Sequence, residues 1–128
     1  MIEIYRYYQE DNINIKILTD PIKGRGVYAN EDIQKGSIIE TCHLLLIDHD
    51  DINDSLEGYV YEFSSTKAAL ALGSGSLYNH NDKANASFSF AKKKKLLYIK
   101  ATRNIKKGEE ITIDYGYSKS DRERFNIL

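Results

Sequence analysis

The chain has 128 residues, a mass of 14.7 kDa and a formal net charge of −1, from 18 basic and 19 acidic side chains. That length suits one domain and leaves no room for two cores, while 41% apolar and 11% aromatic content excludes global disorder. No apolar run approaches a membrane span, no signal-peptide pattern opens the chain, and the single cysteine, Cys42, excludes a disulfide framework or a multi-cysteine zinc site.

These properties describe a soluble intracellular domain. One proline, eight glycines and many Ile, Val, Tyr and Thr residues favour β structure. Ile13 to Ile17 alternates with period two, as a strand with one wet face should. Further strands are expected at Val27–Ala29, Ile38–Thr41, Leu44–Ile47, Phe88–Phe90, Leu96–Ala101 and Ile111–Tyr115. Turn residues separate them at Pro21, Lys23-Gly24, Lys35-Gly36, Asn81-Asp82 and Lys107-Gly108. Two short helices are expected, one over Asp50–Glu57 capped by Asp50 or Asp51, the other over Thr66–Leu72 ending at Gly73. Lys92 to Lys95 forms an unbroken basic run between two strand-like segments. It reads either as a solvated hairpin tip that deters edge pairing or as an electrostatic handle for nucleic acid. The near-neutral total charge disfavours the second reading.

The pattern A-x-x-x-I-x-K-G-x-x-I occurs twice, from Ala29 to Ile39 and from Ala101 to Ile111. Each copy reads as a strand end whose isoleucine, Ile33 or Ile105, turns back into the core. A glycine then supplies the positive φ that restarts a strand. Two copies do not make a solenoid.

Three clusters carry chemistry. Gly24-Arg25-Gly26 lets a ligand approach the backbone and leaves amide groups to face it, but it lacks the third glycine and helix of a dinucleotide fingerprint. The polar stretch Gly73 to Asn85 holds Asn79-His80 next to Tyr78. His43, His49 and His80 lack metal-ligand spacing, and Cys42 and the serines lie in no nucleophile elbow. Last, Gly108 to Tyr117 ends a strand with Asp114-Tyr115-Gly116.

In this order the three clusters resemble the SET-domain protein-lysine methyltransferases. The likeness runs over roughly residues 13 to 117 through Gly24–Gly26, the Ile33-x-Lys35-Gly36 turn, Gly73–His80 and Gly108–Gly116. The compact length without cysteine-rich flanks is most similar to the small viral and bacterial SET proteins.

The resemblance implies a mostly β fold of several small sheets around a knot-like core, with one or two short helices. It makes residues 1–128 a single domain with core 13–117 and a closing segment 118–128. It implies methyl transfer from S-adenosyl-L-methionine to a lysine ε-amine, with Tyr115 as catalytic residue. Gly24, Arg25, Gly26, Tyr78, Asn79, His80 and Phe125 would bind the cofactor, although Phe125 reads equally as a packing residue.

Tyr59, Tyr61 and Tyr117 would line the substrate-lysine channel; Tyr59 and Tyr61 read equally as core. Asp114 is expected to be structural, and no zinc is implied. The partner would be a protein with an exposed lysine, histones being the family's best-known substrates. Action would be nuclear in that case and cytoplasmic otherwise, and a homodimer is compatible with so small a chain. Where relatives continue to Pro-Asn this chain has Ala84-Asn85, and Asn81 replaces a frequent serine. Loss of the proline is expected to loosen a turn without removing a catalytic group. These departures motivate an alternative, a catalytically weak SET-like binding module.

Overall fold

The computed structural model describes residues 14–116. Among them the strands are β1 (Ile15–Asp20), β2 (Gly24–Ala29), β3 (Ile38–Asp48), β4 (Val60–Glu62) and β5 (Lys67–Ala71), then β6 (Asn79–His80), β7 (Ala86–Ala91), β8 (Leu96–Ala101) and β9 (Glu110–Ile113). A 3-10 turn, His49–Asp51, precedes the single-turn helix α1, Asp54–Glu57. The strands lie in the order β1-β2-β9-β7-β8-β3-β5-β4, with β6 joined to β9 outside that path. Most pairs are antiparallel, but β6 and β7 both run parallel to β9. The fold is therefore mostly β, with small sheets sharing strands, as expected.

Val27, Leu97, Ile99, Ile105, Ile111 and Ile113 are fully buried. Such side chains each contribute about 1.5–3 kcal/mol. They come chiefly from β2, β8 and β9, so the most strongly stabilised part of the domain lies beneath the segments that carry Gly24–Gly26 and Asp114-Tyr115.

The repeated pattern has a structural meaning. Its two copies pair with each other about a local pseudo-twofold axis. Ile33 and Ile105 exchange backbone hydrogen bonds of 2.7 and 2.8 Å. Gly36 N donates to Ala101 O at 2.9 Å, and Gly108 N to Ala29 O at 2.8 Å. Side chains obey the same symmetry: Asn104 Oδ1 accepts from Lys35 N at 2.8 Å, and Asp32 Oδ1 from Lys107 N at 2.9 Å. The repeat is a two-point latch fixing β2 and β3 against β8 and β9.

Several expectations shift. The first strand starts at Ile15 and continues to Asp20, with Ile17 and Leu18 exposed on an edge. The two expected strands between Ile38 and Ile47 are one continuous strand, β3, with an irregularity near its start. The helix expected over Thr66–Leu72 is instead strand β5, held between β3 and β4. Ala and Leu favour helix locally, yet a segment this short cannot repay helix nucleation. As a strand it buries Ala68, Ala69 and Ala71 and completes two ladders. The other helix shortens to α1, capped by Asn53 Oδ1 on Ser55 N at 3.0 Å rather than by Asp50 or Asp51. The lysine run is a hairpin tip between β7 and β8, with Lys95 in the left-handed region. Lys92 Nζ donates to Phe63 O at 2.8 Å and lies over the Phe63 ring.

Gly36 and Gly108 have φ of 89° and 91°, with open space where a Cβ would stand. Substituting either by alanine should therefore cost conformational strain alone, about 1–2 kcal/mol each. Urea denaturation of the single variants should show similar losses at the two symmetry-related sites; a marked inequality would show that the latch is not energetically symmetric.

Candidate functional site

The strands β2, β9 and β6 lie side by side, with Val27 opposite Ile111, Tyr28 opposite Glu110 and Asn79 beside Thr112. This packing brings the first two sequence clusters together. Asn79 Nδ2 donates to Arg25 O at 3.2 Å and to Glu110 Oε2 at 2.7 Å. Glu110 Oε1 accepts from Lys23 Nζ at 3.1 Å. A Cβ on Gly26 would stand 2.6 Å from Glu110 Oε2 and 2.9 Å from Asn79 Nδ2, so any other residue here would displace these two side-chain ends. The result is a polar cradle made of a backbone carbonyl, a primary amide, a carboxylate and an ammonium.

The cradle is held in register by Asn85, which is 2% exposed. Its Nδ2 donates to Glu110 O and its Oδ1 accepts from Thr112 N, both at 2.9 Å. One side chain thus satisfies two backbone groups of β9. Beside it, Asn81 Oδ1 accepts from Lys83 N at 2.8 Å, and Asn81 N donates to Ile113 O at 3.0 Å. The turn expected to loosen without its proline is closed by the asparagine that replaces serine.

The third cluster joins on the other side. Tyr115 N donates to His80 Nδ1 at 2.9 Å, and the Tyr115 hydroxyl donates to the backbone carbonyl of Tyr78. Since Nδ1 accepts, the proton sits on Nε2, which meets Asp82 Oδ1 at 2.8 Å. Both ring nitrogens therefore carry structural bonds, and His80 acts as a clip for Tyr115. Asp114 Oδ1 accepts from Gly116 N at 2.9 Å and closes the turn, as expected of a structural residue.

A recess opens beside Tyr115, lined by Glu57, Tyr59, Tyr61, Ser76 and Tyr78 among others. Tyr61 donates to Gly75 O at 2.7 Å and packs edge-on against Phe88 with centroids 5.0 Å apart. Burial pushes its phenol upward, and the charges of neighbouring groups add to this. Tyr61 is thus anchored in the core and lines the recess at once, while Tyr59 is exposed at the rim in the turn before β4.

Beneath the recess lies Glu40, 6% exposed. Its Oε1 accepts from the Tyr78 hydroxyl at 2.8 Å and its Oε2 from Ser74 N at 2.9 Å. Burial raises its carboxyl above the ordinary 4.5, against the lowering effect of those two donors. Burial likewise raises the Tyr78 phenol and the Cys42 thiol, and the nearby Glu40 charge raises both further. Cys42 is therefore held as a neutral buried thiol.

The structure thus joins Asn79 to the Gly24–Gly26 segment through Arg25 O, joins His80 and Tyr78 to Tyr115, and sets Tyr59, Tyr61 and Tyr78 with Tyr115 around the recess. The Tyr78 side chain is buried, with its phenol on Glu40. Tyr117 and Phe125 lie outside the described residues. Glu40, Asn85, Glu110 and Lys23 were not singled out by sequence. Glu110 stands inside the third cluster, and Asn85 at the end of the second, but neither shows its partner locally. Ile113, two residues before Tyr115, is fully buried in the core. Among the described residues no helix is long and apolar enough to cross a membrane, and no group of three or more His, Cys, Asp or Glu could hold a metal ion.

The site of this small β domain thus consists of a polar cradle over Gly26 and an aromatic recess beside Tyr115. Comparison with known proteins identifies the family. The SET-domain family profile matches residues 24–116. The histone-lysine N-methyltransferase specific for H3 lysine-37 of Schizosaccharomyces pombe is 33% identical over 73% of this chain and 67% of its own length. The N-lysine methyltransferase KMT5A-A of Xenopus laevis is 29% identical over 98% of this chain, and the H3 lysine-36 specific enzyme of Debaryomyces hansenii 30% identical over 89%. The chain spans only 41% and 18% of those two proteins. A crystal structure of a candidate histone methyltransferase from Plasmodium falciparum superposes with a TM-score of 0.71 at 36% identity, covering 81% of this chain and 98% of that one. The chain belongs to the SET-domain family of lysine methyltransferases.

Two predictions follow from the buried polar groups. Replacing Asn85 by alanine strands Glu110 O and Thr112 N, each at about 1–3 kcal/mol. Chemical denaturation should show a loss of about 2–4 kcal/mol, and an unchanged midpoint would mean that Asn85 does not hold β9. For Glu40 the folded-state carboxyl is raised, so the native state holds its proton at pH values where the unfolded chain has lost it. Stability from this group is therefore full below about pH 4.5 and falls as pH rises through the raised value. In Glu40→Gln this part of the decline should vanish, which parallel denaturation series from pH 4 upward will show.

Proposed function

We propose that this chain transfers a methyl group from S-adenosyl-L-methionine to the ε-amine of a protein lysine, with histones the first substrates to examine. The observation that carries the reading is the meeting of cradle and recess at Tyr115, whose hydroxyl is bound to the Tyr78 carbonyl and whose backbone is clipped by His80. The donor set supports the cofactor. Backbone groups of Gly24, Arg25 and Gly26, with Asn79 and His80, present carbonyl, amide and peptide groups where the side-chain ends of Glu110 and Asn79 close over Gly26. When bound, the cofactor supplies a methyl on a sulfonium; the N–C bond to lysine forms as the S–C bond breaks.

The chain's own residues supply position and field. Tyr59 and Tyr61 offer aromatic faces, which accept a cationic or neutral amine chain. Glu57 at the mouth attracts an incoming ammonium, and the drier interior favours loss of its proton to water. Tyr115 and the Tyr78 carbonyl then set oxygen dipoles beside the transferring methyl without reorganisation. Holding the two reactants in line accounts for much of the rate in such a site. Recognition of a histone-like substrate by the named relatives supports the substrate class and, with it, nuclear action.

The test is methyl transfer followed by mass spectrometry on histones and other lysine-rich proteins. Wild type should modify lysine, and Tyr115→Phe should lower kcat by about 100-fold or more. Equal turnover by the variant would remove Tyr115 from the chemistry.

A further inference from the structure

Glu40 has no part in the reaction described above, yet it is the one buried carboxyl among the described residues. It stands on β3, next to the irregularity near the start of that strand, under the loop that follows β5. A Cβ on Gly73 would lie 2.8 Å from Glu40 Oε2, so the loop folds directly onto the carboxyl. Oε2 takes the loop through Ser74 N, and Oε1 takes the phenol of Tyr78. Stability alone does not call for this arrangement. Removing a carboxyl from water is costly, and an apolar pair of the same shape would fill the space without that cost. What the carboxyl adds is direction, because a hydrogen bond fixes distance and angle where an apolar contact lets a ring slide.

We infer that Glu40 is a positioning residue for methyl transfer: by holding the Tyr78 phenol it orients the Tyr78 carbonyl, and through it the Tyr115 hydroxyl. This rests on the reaction reading given above. Tyr78 stands just before β6, a strand of only two residues, so little regular structure fixes its peptide. Its side chain supplies that restraint. The line of contacts runs from the Glu40 carboxyl to the phenol, through Tyr78 to its carbonyl, and on to the Tyr115 hydroxyl. Slack along the way is small, because Ser76 Oγ accepts from Ala71 N and donates to Ala71 O, both at 3.1 Å. At the far end His80 Nδ1 accepts from Tyr115 N. The hydroxyl is thus set from two directions, by the backbone of its own residue and by the carbonyl of Tyr78. Reach, rather than charge, is what the role requires of residue 40. A glutamine keeps that reach, accepting from Ser74 N through its oxygen and donating to the phenol through its nitrogen. An aspartate keeps the charge but is one methylene too short to hold both partners.

Steady-state methyl transfer to mixed core histones by the full chain tests this, with thermal unfolding recorded to confirm that each variant is folded. Tyr78→Phe removes the phenol oxygen but keeps the ring and the carbonyl; it should lower kcat about 10-fold and leave KM unchanged. Glu40→Asp should do the same, while Glu40→Gln should stay within about 3-fold of wild type. In a Tyr115→Phe background neither Tyr78→Phe nor Glu40→Asp should slow the reaction further, since the hydroxyl they position is gone. A merely structural role would slow both backgrounds equally. Wild-type kcat in Tyr78→Phe, a slower Glu40→Gln than Glu40→Asp, or losses that persist beside Tyr115→Phe overturn the assignment. If Tyr78→Phe does not fold, the two Glu40 variants decide by their order. Absence of methyl transfer by folded wild type instead overturns the reaction reading, and the positioning role falls with it.

Discussion

Two backbone groups of β9, the carbonyl of Glu110 and the N–H of Thr112, are taken by a single side chain, the buried amide of Asn85. A primary amide mimics a strand edge here, donating and accepting at once, while its own backbone carbonyl accepts from Thr102 N at 2.9 Å. Everything at the site inherits its position from that junction. It fixes the strand that carries Glu110 into the cradle and leads directly into Asp114-Tyr115. The short strand β6 runs parallel to the same four residues, placing Asn79 and His80 at matching heights. Parallel pairing over two residues is weak by itself, so the side-chain bonds of Asn79, His80 and Asn85 supply much of what holds the register.

A second constraint works from below. Glu40 ties the phenol of Tyr78 to the N–H of Ser74, joining the loop after β5 to the floor of the recess. The same Tyr78 offers its carbonyl to Tyr115, so one residue is held through its side chain and holds another through its backbone. Gly75 completes the arrangement by accepting from Tyr61. It also packs where a Cβ would lie 2.8 Å from the Cys42 sulfur. The recess is thus shaped by groups whose polar atoms are already satisfied, which favours a fixed shape. Its one acidic core group is the element that makes this shape sensitive to pH.

Much of the strand content was legible because turn residues and apolar alternation are local signals. Leu96–Ala101 appears with the bounds read from sequence, and the lysine run is the hairpin tip it resembled. Segment 67–71 was not legible, since its alanines and leucine favour helix and only pairing with β3 and β4 reverses them. The internal repeat was visible, but its meaning was not: hydrogen bonds between the two copies join residues some seventy positions apart. For the candidate site, resemblance pointed to Gly24–Gly26, Asn79-His80 and Tyr115. It gave no role to Glu40, Asn85 or Glu110, because a buried acid or amide announces itself only through distant partners. Tyr78 and Asn79 show the same dependence on distant partners: the phenol of one reaches Glu40 and the amide of the other Glu110, because extended backbone sends adjacent side chains opposite ways.

That alternation explains how so short a chain separates two incompatible environments. Tyr78 turns its ring toward aromatic surface and Glu40, while Asn79 turns toward charge and open backbone. Under the proposed reaction a cationic donor would use the second environment and an amine losing its proton the first. The carbonyl of Tyr78 and the hydroxyl of Tyr115 are bonded to each other, and Tyr115 stands two residues beyond β9, whose register Asn85 holds.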